Sequence, residues 1–304
     1  MADVTDAAFR RILAKYGDAH VTWTEFVSVE GLSHKVAREK LIKDLEYDEA
    51  ERPIVAQIFG ADPKKFTDIA KLIASLGFDG IDINMGCPDR SINKQHAGAD
   101  LMKNTKLARE IIRATKDGAG TVPVSVKTRL GYSKDELETW LQEILAEEPV
   151  AVTVHGRTMK ELSLVPARWE RIARAKEIAT EMESKALIIG NGDVVSLEDA
   201  KTKAETYKVD GVMIGRGVFG NPWFFSSTTK REEIPFVDRM KVMLEHVRLF
   251  DELIRPHKSF AVMRKHFKSY TLGYKNGKAL REVLMRAESA KDVEETLKDF
   301  GFCK

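Results

Sequence analysis

The residue best suited to proton chemistry is Cys87, in the segment INMGCP at residues 83–88. A thiol of ordinary pKa, about 8.5, is protonated at neutral pH and donates a proton more readily than it attacks. No histidine stands next to Cys87 in the sequence, so a Cys/His nucleophile pair is not indicated. A lone cysteine can also be a small buried apolar side chain. The neighbouring Gly, Pro, Asp89 and Arg90 indicate a loop and favour proton donation.

Two further polar groups, Lys127 and His155, end successive strand-like segments. Either could be a structural residue. If both instead face one site that also binds a phosphate group, they would suit a cofactor with an anionic ring system, such as a flavin. No second His or Cys stands at ligand spacing from His155, so no metal is expected.

Glycine-rich turns offer the phosphate site. Residues 215–220, GRGVFG, match a dinucleotide fingerprint, but such a fingerprint normally opens the first strand–helix unit, whereas this one follows the last strand. With residues 190–193, GNGD, the segment fits better the phosphate site after the late strands of a barrel, where Arg216 adds a donor. The alternative is two tight turns that bind nothing.

Seven apolar, β-branched segments must position these groups, and segments of helical period follow them. The predicted strands are His20–Phe26, Ile54–Phe59, Gly80–Asn84, Val122–Lys127, Val150–His155, Ala186–Ile189 and Gly211–Ile214. Alternating strands and helices predict a parallel sheet, either doubly wound or closed into a (β/α)₈ barrel.

Polar residues at nearly every strand end favour the barrel, in which all strand ends meet at one mouth. A doubly wound sheet would concentrate its site at one switch point. Seven strands are one short of eight, because Met1 is followed at once by a loop and helix pattern. We therefore expect an α/β barrel whose first strand is missing.

Composition narrows the class of protein. The 304 residues are 43% hydrophobic, with 49 Lys+Arg against 47 Asp+Glu, which argues against wholesale disorder. Two cysteines are too few for a disulfide framework, and no segment is typical of a membrane span or signal peptide. We expect a cytoplasmic protein.

The net charge of +2 is unevenly distributed. Residues 230–304 carry 17 Lys+Arg and 12 Asp+Glu, and residues 253–281 have no acidic residue. Helical patterns are expected at 238–254, 259–271, 277–285 and 290–300. The basic side chains could contact RNA phosphates while Phe260, Phe267, Tyr270 and Tyr274 stack on bases. Equally, this could be a solvated helix face with its aromatic residues in a small bundle core.

Several segments, in order, resemble the tRNA-dihydrouridine synthases: VTDAAFR, TEFVS, QIFG, DGIDINMGCP, VKTRLG, TVHGRT, IGNGD and DGVMIGRGVFGNPW. The resemblance covers residues 3 to about 225. The helical tail, with MRKH at 263–266, resembles the RNA-binding domain of that family.

The resemblance implies an FMN-dependent enzyme that uses NADPH to reduce uridines of tRNA. Cys87 matches the acid that protonates uracil C5 while reduced flavin delivers hydride to C6. The positions that match FMN-binding residues are Gln57, Lys127, His155, Asn191, Asp193, Gly215 and Arg216. Asn84 and Arg129 match positions near the uracil, and Arg264 and Lys265 are expected to contact tRNA.

The Pro-containing stretch at residues 221–235 is the best candidate for a linker, so we expect a catalytic barrel over residues 1–228 and a tRNA-binding domain over 229–304. We also expect a monomer without metal or membrane contact. Two alternatives stay open at this point. One is an FMN barrel oxidoreductase that acts on a small molecule and does not need the basic tail. The other is a tRNA binder that has lost the flavin, which the missing strand makes conceivable.

Overall fold

A computed structural model describes residues 1–303. Seven strands form one sheet in sequence order, and the pairs from β2 to β7 are parallel. They are β1 Thr22–Ser28, β2 Ile54–Phe59, β3 Gly80–Asn84, β4 Val124–Arg129, β5 Ala151–His155, β6 Leu187–Asn191 and β7 Gly211–Met213. Sequential parallel order is the arrangement of a (β/α) barrel. The predicted α/β fold is confirmed.

Helices alternate with the strands and then continue alone. They are α1 Ala7–Tyr16, α2 Val29–Ser33, α3 Lys35–Leu41, α4 Pro63–Ser75, α5 Arg90–Asn93, α6 Thr105–Ala119, α7 Leu137–Leu145, α8 Trp169–Glu181, α9 Leu197–Tyr207, α10 Phe236–Leu253, α11 Arg264–Tyr270, α12 Gly277–Leu284 and α13 Ala290–Asp299. Side-chain caps define several N-termini: Asp62 accepts from the first turn of α4, and Asn104 from that of α6.

The chain divides into two compact units. The sheet unit comprises residues 26–45 and 53–215, and the helical unit comprises residues 1–25, 46–52 and 216–303. In the sheet unit β2 and β3 are buried throughout, as expected of parallel strands covered on both faces. The assignment of residues 1–228 to catalysis and 229–304 to tRNA binding stays a prediction, because the N-terminal residues group with the helices.

The helical unit has its own apolar core. Ala7 and Ala8 of α1 pack into it with residues of α10 to α13. Phe260, Phe267 and Tyr270 lie in this core, at most 5% exposed, and Tyr274 stacks on Phe236 with ring centroids 4.4 Å apart. Of the two interpretations of the tail, the bundle core is confirmed for these rings. The prediction that Phe260, Phe267 and Tyr270 stack on RNA bases was wrong, because the rings are already packed.

The segment GRGVFG forms a short 3₁₀ turn over Arg216–Val218 rather than the start of an α-helix, which excludes the dinucleotide fingerprint. Gly220 has φ +57°, and a Cβ there would stand 2.5 Å from Cβ of Ser269. Both the backbone conformation and the close packing therefore favour glycine at this position. Among residues 1–303, no helix is long and apolar enough to cross a membrane.

Candidate active site

The loop after β3 carries Cys87 and is held by the last residue of the strand. The side-chain Oδ1 of Asn84 accepts hydrogen bonds from the backbone N–H of Gly86 at 3.1 Å and of Cys87 at 3.0 Å. On the other side of the loop, Cys87 O accepts from the N–H of Ala99 at 3.1 Å. The thiol is therefore fixed at the carboxyl end of a central strand.

Asn84 is connected to the neighbouring strand. Its Nδ2 donates to Oε1 of Gln57 at 3.1 Å, and Nε2 of Gln57 donates to Oδ2 of Asp82 at 2.6 Å. Oδ1 of Asp82 accepts from the hydroxyl of Ser125 at 2.6 Å. The predicted flavin residue Gln57 and the predicted substrate residue Asn84 thus lie in one hydrogen-bonded chain that ends at the thiol loop.

Burial governs the protonation of the thiol. Cys87 is 9% exposed, and desolvation raises its pKa above the ordinary value. Asp89 opposes this by donating a backbone hydrogen bond, but its negative charge acts in the same direction as burial. The thiol is therefore protonated at neutral pH, which is the state that a proton donor needs and a nucleophile does not.

Lys127 pairs in register with Asn84 across β3 and β4. Burial lowers the pKa of its ammonium group to about 8, and the nearby charge of Arg129 contributes in the same direction. Within residues 1–303 no protein acceptor bonds to this ammonium group. A partly buried cation without an acceptor favours an anionic ligand.

Arg129, the last residue of β4, is 8% exposed. Its Nε donates to the carbonyl of Gly86 at 2.7 Å, and its Nη1 donates to the carbonyl of Thr158 at 3.1 Å. The guanidinium group therefore braces the thiol loop against the loop after β5. Burial lowers its pKa to about 10, so it remains a cation at neutral pH.

A second group of polar side chains follows β5 and β6. Nη1 of Arg157 lies 3.2 Å from Nε2 of His155, and the same guanidinium group forms an ion pair with Asp193. Oδ2 of Asp193 also accepts from the N–H of Ala167 at 2.9 Å. Gly192 has φ +128° and lies against the imidazole of His155, since a Cβ at this position would stand 3.0 Å from Cδ2 of that ring. The structure therefore brings His155 and Asp193 together through Arg157.

The sheet's register completes the arrangement. Arg129 pairs with His155, and His155 pairs with Asn191. The side-chain Nδ2 of Asn191 donates to the carbonyl of Met213 in β7 at 2.8 Å, and Gly215 follows two positions after that residue. The predicted residues of the sheet unit thus form one row along the carboxyl ends of β2 to β7.

Three predicted residues belong to the helical unit. Arg216 is exposed in the 3₁₀ turn, Arg264 is partly buried, and Lys265 is exposed on α11. Lys265 lies 3.5 Å from the carboxylate of Asp3. Also exposed are Lys268, Lys275 and Lys278, and none of these three forms an ion pair with another residue in the described part of the chain. Lys268, Lys275 and Lys278 are therefore available to phosphates.

Two positions were not singled out from the sequence. Asp82 stands in the middle of GIDIN, so it was not among the polar residues at strand ends. Ser125 in β4 was overlooked for the same reason. A carboxylate in an otherwise apolar buried strand was a usable signal, because such a group needs donors around it.

A flavin is compatible with these side chains. The ammonium group of Lys127 has no acceptor among the described residues, and the neighbouring strands place the amide of Gln57 and the imidazole of His155 along the same edge of the sheet. A cation near the ring stabilises negative charge on a reduced flavin. The fold and these strand-end residues define a (β/α)-barrel enzyme.

Comparisons with known proteins agree. The family model described as dihydrouridine synthase matches residues 1–301. The chain is similar to a probable tRNA-dihydrouridine synthase of Staphylococcus aureus (strain COL), 36% identical over 99% of this chain and 91% of that one. It is also similar to probable tRNA-dihydrouridine synthase 2 of Bacillus subtilis (strain 168), 37% identical over 99% of this chain and 92% of that one.

Among solved structures, morphinone reductase in complex with tetrahydroNAD aligns with a TM-score of 0.51 and 12% identity, over 73% of this chain and 81% of that one. That likeness shows the fold alone. The family match and the two relatives show that the chain belongs to the dihydrouridine synthase family. It is therefore a flavin-dependent oxidoreductase.

Proposed function

We propose that this protein reduces the C5–C6 double bond of uridines in tRNA to dihydrouridine, with FMN as its flavin and NADPH as reductant. The printed names of the two relatives support tRNA as the substrate. The observation that carries the proposal is the buried thiol of Cys87 in the loop after β3, next to the strand end at which Asn84 pairs in register with Lys127. We also expect the protein to act as a monomer, without a metal, in the cytoplasm.

The residues that would hold FMN are Gln57, Lys127, His155, Asn191, Asp193, Gly215 and Arg216. Bound FMN would accept electrons from NADPH and supply hydride to uracil C6. Lys127 would provide the positive charge beside the ring system. Because the carboxylate of Asp193 is paired with Arg157, its contribution would come through the shape of the β6 turn.

The chain's own part in the chemistry centres on one proton. The Sγ–H of Cys87 would protonate uracil C5, leaving a thiolate that solvent reprotonates. Asn84 holds the loop, and Arg129 braces it through the Gly86 carbonyl. In the described residues the Nη2 of Arg129 has no protein acceptor, so it could donate to a uracil carbonyl.

The helical unit would bind the tRNA backbone. Arg264 and Lys265 are the predicted contacts, and Lys268, Lys275 and Lys278 extend the same basic segment. Because Phe260, Phe267 and Tyr270 are buried, this binding would depend on phosphate contacts rather than on base stacking. Such contacts position an RNA without reading its sequence.

The test separates the two half-reactions by stopped-flow absorbance. The protein is loaded with FMN, reduced anaerobically with NADPH, and mixed with unmodified tRNA or with free uridine. We expect tRNA to reoxidise the flavin and free uridine to do so far more slowly. Equal rates with free uridine would contradict the proposal and favour a small-molecule reductase. The Cys87→Ala variant should retain reduction by NADPH and lose reoxidation by tRNA.

A further inference from the structure

Asp82 is an acidic residue that the proposed reaction does not use. It lies in the middle of β3, is 1% exposed, and pairs in register with Gln57 of β2 and Ser125 of β4. Both carboxylate oxygens accept side-chain hydrogen bonds of 2.6 Å, one from each of these neighbours. A buried carboxylate with two good donors is compensated rather than orphaned.

The carboxylate sets the orientation of the amides next to it. Burial raises the pKa of this carboxyl, whereas the hydrogen bonds from Ser125 and Gln57 and the charge of Lys127 favour its ionised form. In that form it only accepts hydrogen bonds, so Gln57 presents its Nε2 to Asp82 and its Oε1 to Asn84. Asn84 must then present its Nδ2 to Gln57. Its Oδ1 is left facing the loop, where it accepts the N–H groups of Gly86 and Cys87. With either amide turned round, a donor would face a donor.

We propose that Asp82 is a positioning residue that sets the direction of this hydrogen-bond chain and through it holds the Cys87 loop in place. The proposal rests on the proposed function only for the role of this loop, which is to carry the proton donor. Asp82, on the strand that leads into the Cys87 loop, acts through Gln57 and Asn84 and is not itself a proton donor to substrate. The same hydrogen-bond chain connects Gln57, a predicted flavin residue, through Asn84 to the loop of the predicted acid.

A second role for Asp82 must be separated from this one, because its negative charge also acts on Lys127. The two roles respond differently to substitution. Asp82→Asn removes the charge but keeps an acceptor: Oδ1 can face Gln57 while Nδ2 donates to the Ser125 hydroxyl, which accepts as well as donates. Asp82→Leu removes the charge and every acceptor and keeps the branching at Cγ, although its side chain is larger.

The first measurement is the alkylation rate of Cys87 by a maleimide in the full chain, followed by peptide mass spectrometry. It needs no enzymatic activity, so it stands apart from the proposed function. We expect Asp82→Leu to raise the Cys87 rate several-fold and Asp82→Asn to leave it near that of the unaltered protein. Cys303 serves as the internal control and should react equally in all three. An unchanged Cys87 rate in Asp82→Leu would overturn the proposal, as would equal increases in both variants.

The second measurement covers the case in which Asp82→Leu does not fold. Asn84→Asp places an acceptor at each end of Gln57 and should lower the unfolding temperature. Adding Asp82→Asn lets the whole chain reverse, since Gln57 can then donate to position 84 and accept from position 82. The double variant should therefore unfold at a higher temperature than Asn84→Asp alone. Additive losses of the two changes would contradict a directional chain.

The matching control is Asn84→Asp combined with Asp82→Leu. It relieves the same charge repulsion but supplies no donor to Gln57, so it should not restore the unfolding temperature. Recovery in this control equal to that with Asp82→Asn would assign the effect to charge and overturn the proposal. In turnover, Asp82→Leu should lower kcat for tRNA about 10- to 100-fold, the loss expected for one or two hydrogen bonds.

Discussion

The guanidinium of Arg10 on α1 donates from Nε to Oε2 of Glu51 at 2.6 Å, and both side chains are at most 2% exposed. Nη1 and Nη2 of the same arginine donate to the carbonyls of Thr5 and Glu46. One buried cation thus connects two segments of the helical unit, residues 1–25 and 46–52. Its donors are used by residues far apart in sequence.

Replacing Arg10 with Met should destabilise the protein by about 3–5 kcal/mol, because the buried carboxylate of Glu51 would lose its closest cation. Urea unfolding measures the change. Lys15→Met is the matched control, since the Lys15–Glu245 ion pair is 2.6 Å long but exposed, and it should change the unfolding midpoint little. Similar midpoints for the two variants would contradict this account of α1.

The activity should fall as the pH rises through about 8. Burial lowers the pKa of Lys127 to about 8, and the protonated form is the one that stabilises negative charge on the reduced ring system. The cation is therefore present below this pH and lost above it. Single-turnover reduction of tRNA measured from pH 6 to pH 10 should show the fall. Lys127→Arg should remove it, because a guanidinium group keeps its proton.

The stability of the helical unit should decrease in acid. His266 is 0% exposed, and burial lowers its pKa to about 3. Below about pH 6.5 the unfolded chain binds a proton at this ring while the folded chain does not, so stability is lost as the pH falls from about 6.5 towards 3. Between pH 7 and pH 5 the loss from this ring is about 2 kcal/mol.

His266→Phe removes that titration and keeps an aromatic ring beside Phe9, which lies 4.7 Å away between ring centroids. Its stability relative to the unaltered protein should therefore improve by about 2 kcal/mol between pH 7 and pH 5, measured by urea unfolding. Phe9→Leu is the control in the same cluster and should cost the same at both pH values. A pH-independent difference for His266→Phe would contradict a neutral buried imidazole.

Binding of tRNA should depend on the exposed lysines of the tail. Changing Lys268, Lys275 and Lys278 together to Glu should weaken binding and reduce the slope of log affinity against log salt by about 0.7–0.9 for each phosphate that a lysine no longer neutralises. Filter binding at several salt concentrations measures both quantities. Lys291→Glu, at an exposed position of α13, is the control and should leave the slope unchanged. An unaltered slope in the triple variant would place the RNA-binding surface elsewhere.

Strand-end residues could be identified from the sequence because parallel strands bring their carboxyl ends to one edge. The observed strands β2 and β3 have the predicted bounds, and Asn84, Lys127 and His155 lie along that edge as expected. The role of Asp82 was not identified from the sequence, because it depends on the hydrogen bonds that Gln57 and Ser125 donate across the sheet. No local sequence pattern indicates which residues of neighbouring strands pair in register.

The tail shows the same limit in a different way. Its helices followed from their periodicity, but the placement of Phe260, Phe267 and Tyr270 stayed open between core and surface, because a ring's partners are distant in sequence. The packing of Ala7 and Ala8 against these helices was not predicted either. Long-range packing of this kind decides which face of a helix is buried.

The central claim is that Cys87 donates the proton in the reduction of tRNA uridines. Its most direct test is mass-spectrometric mapping of dihydrouridine in unmodified tRNA after incubation with NADPH and the FMN-loaded protein or its Cys87→Ala variant. We expect dihydrouridine at defined positions with the unaltered protein, and a rate at least about 100-fold lower with Cys87→Ala at unchanged flavin content. Dihydrouridine formed at an equal rate by the variant would contradict the claim.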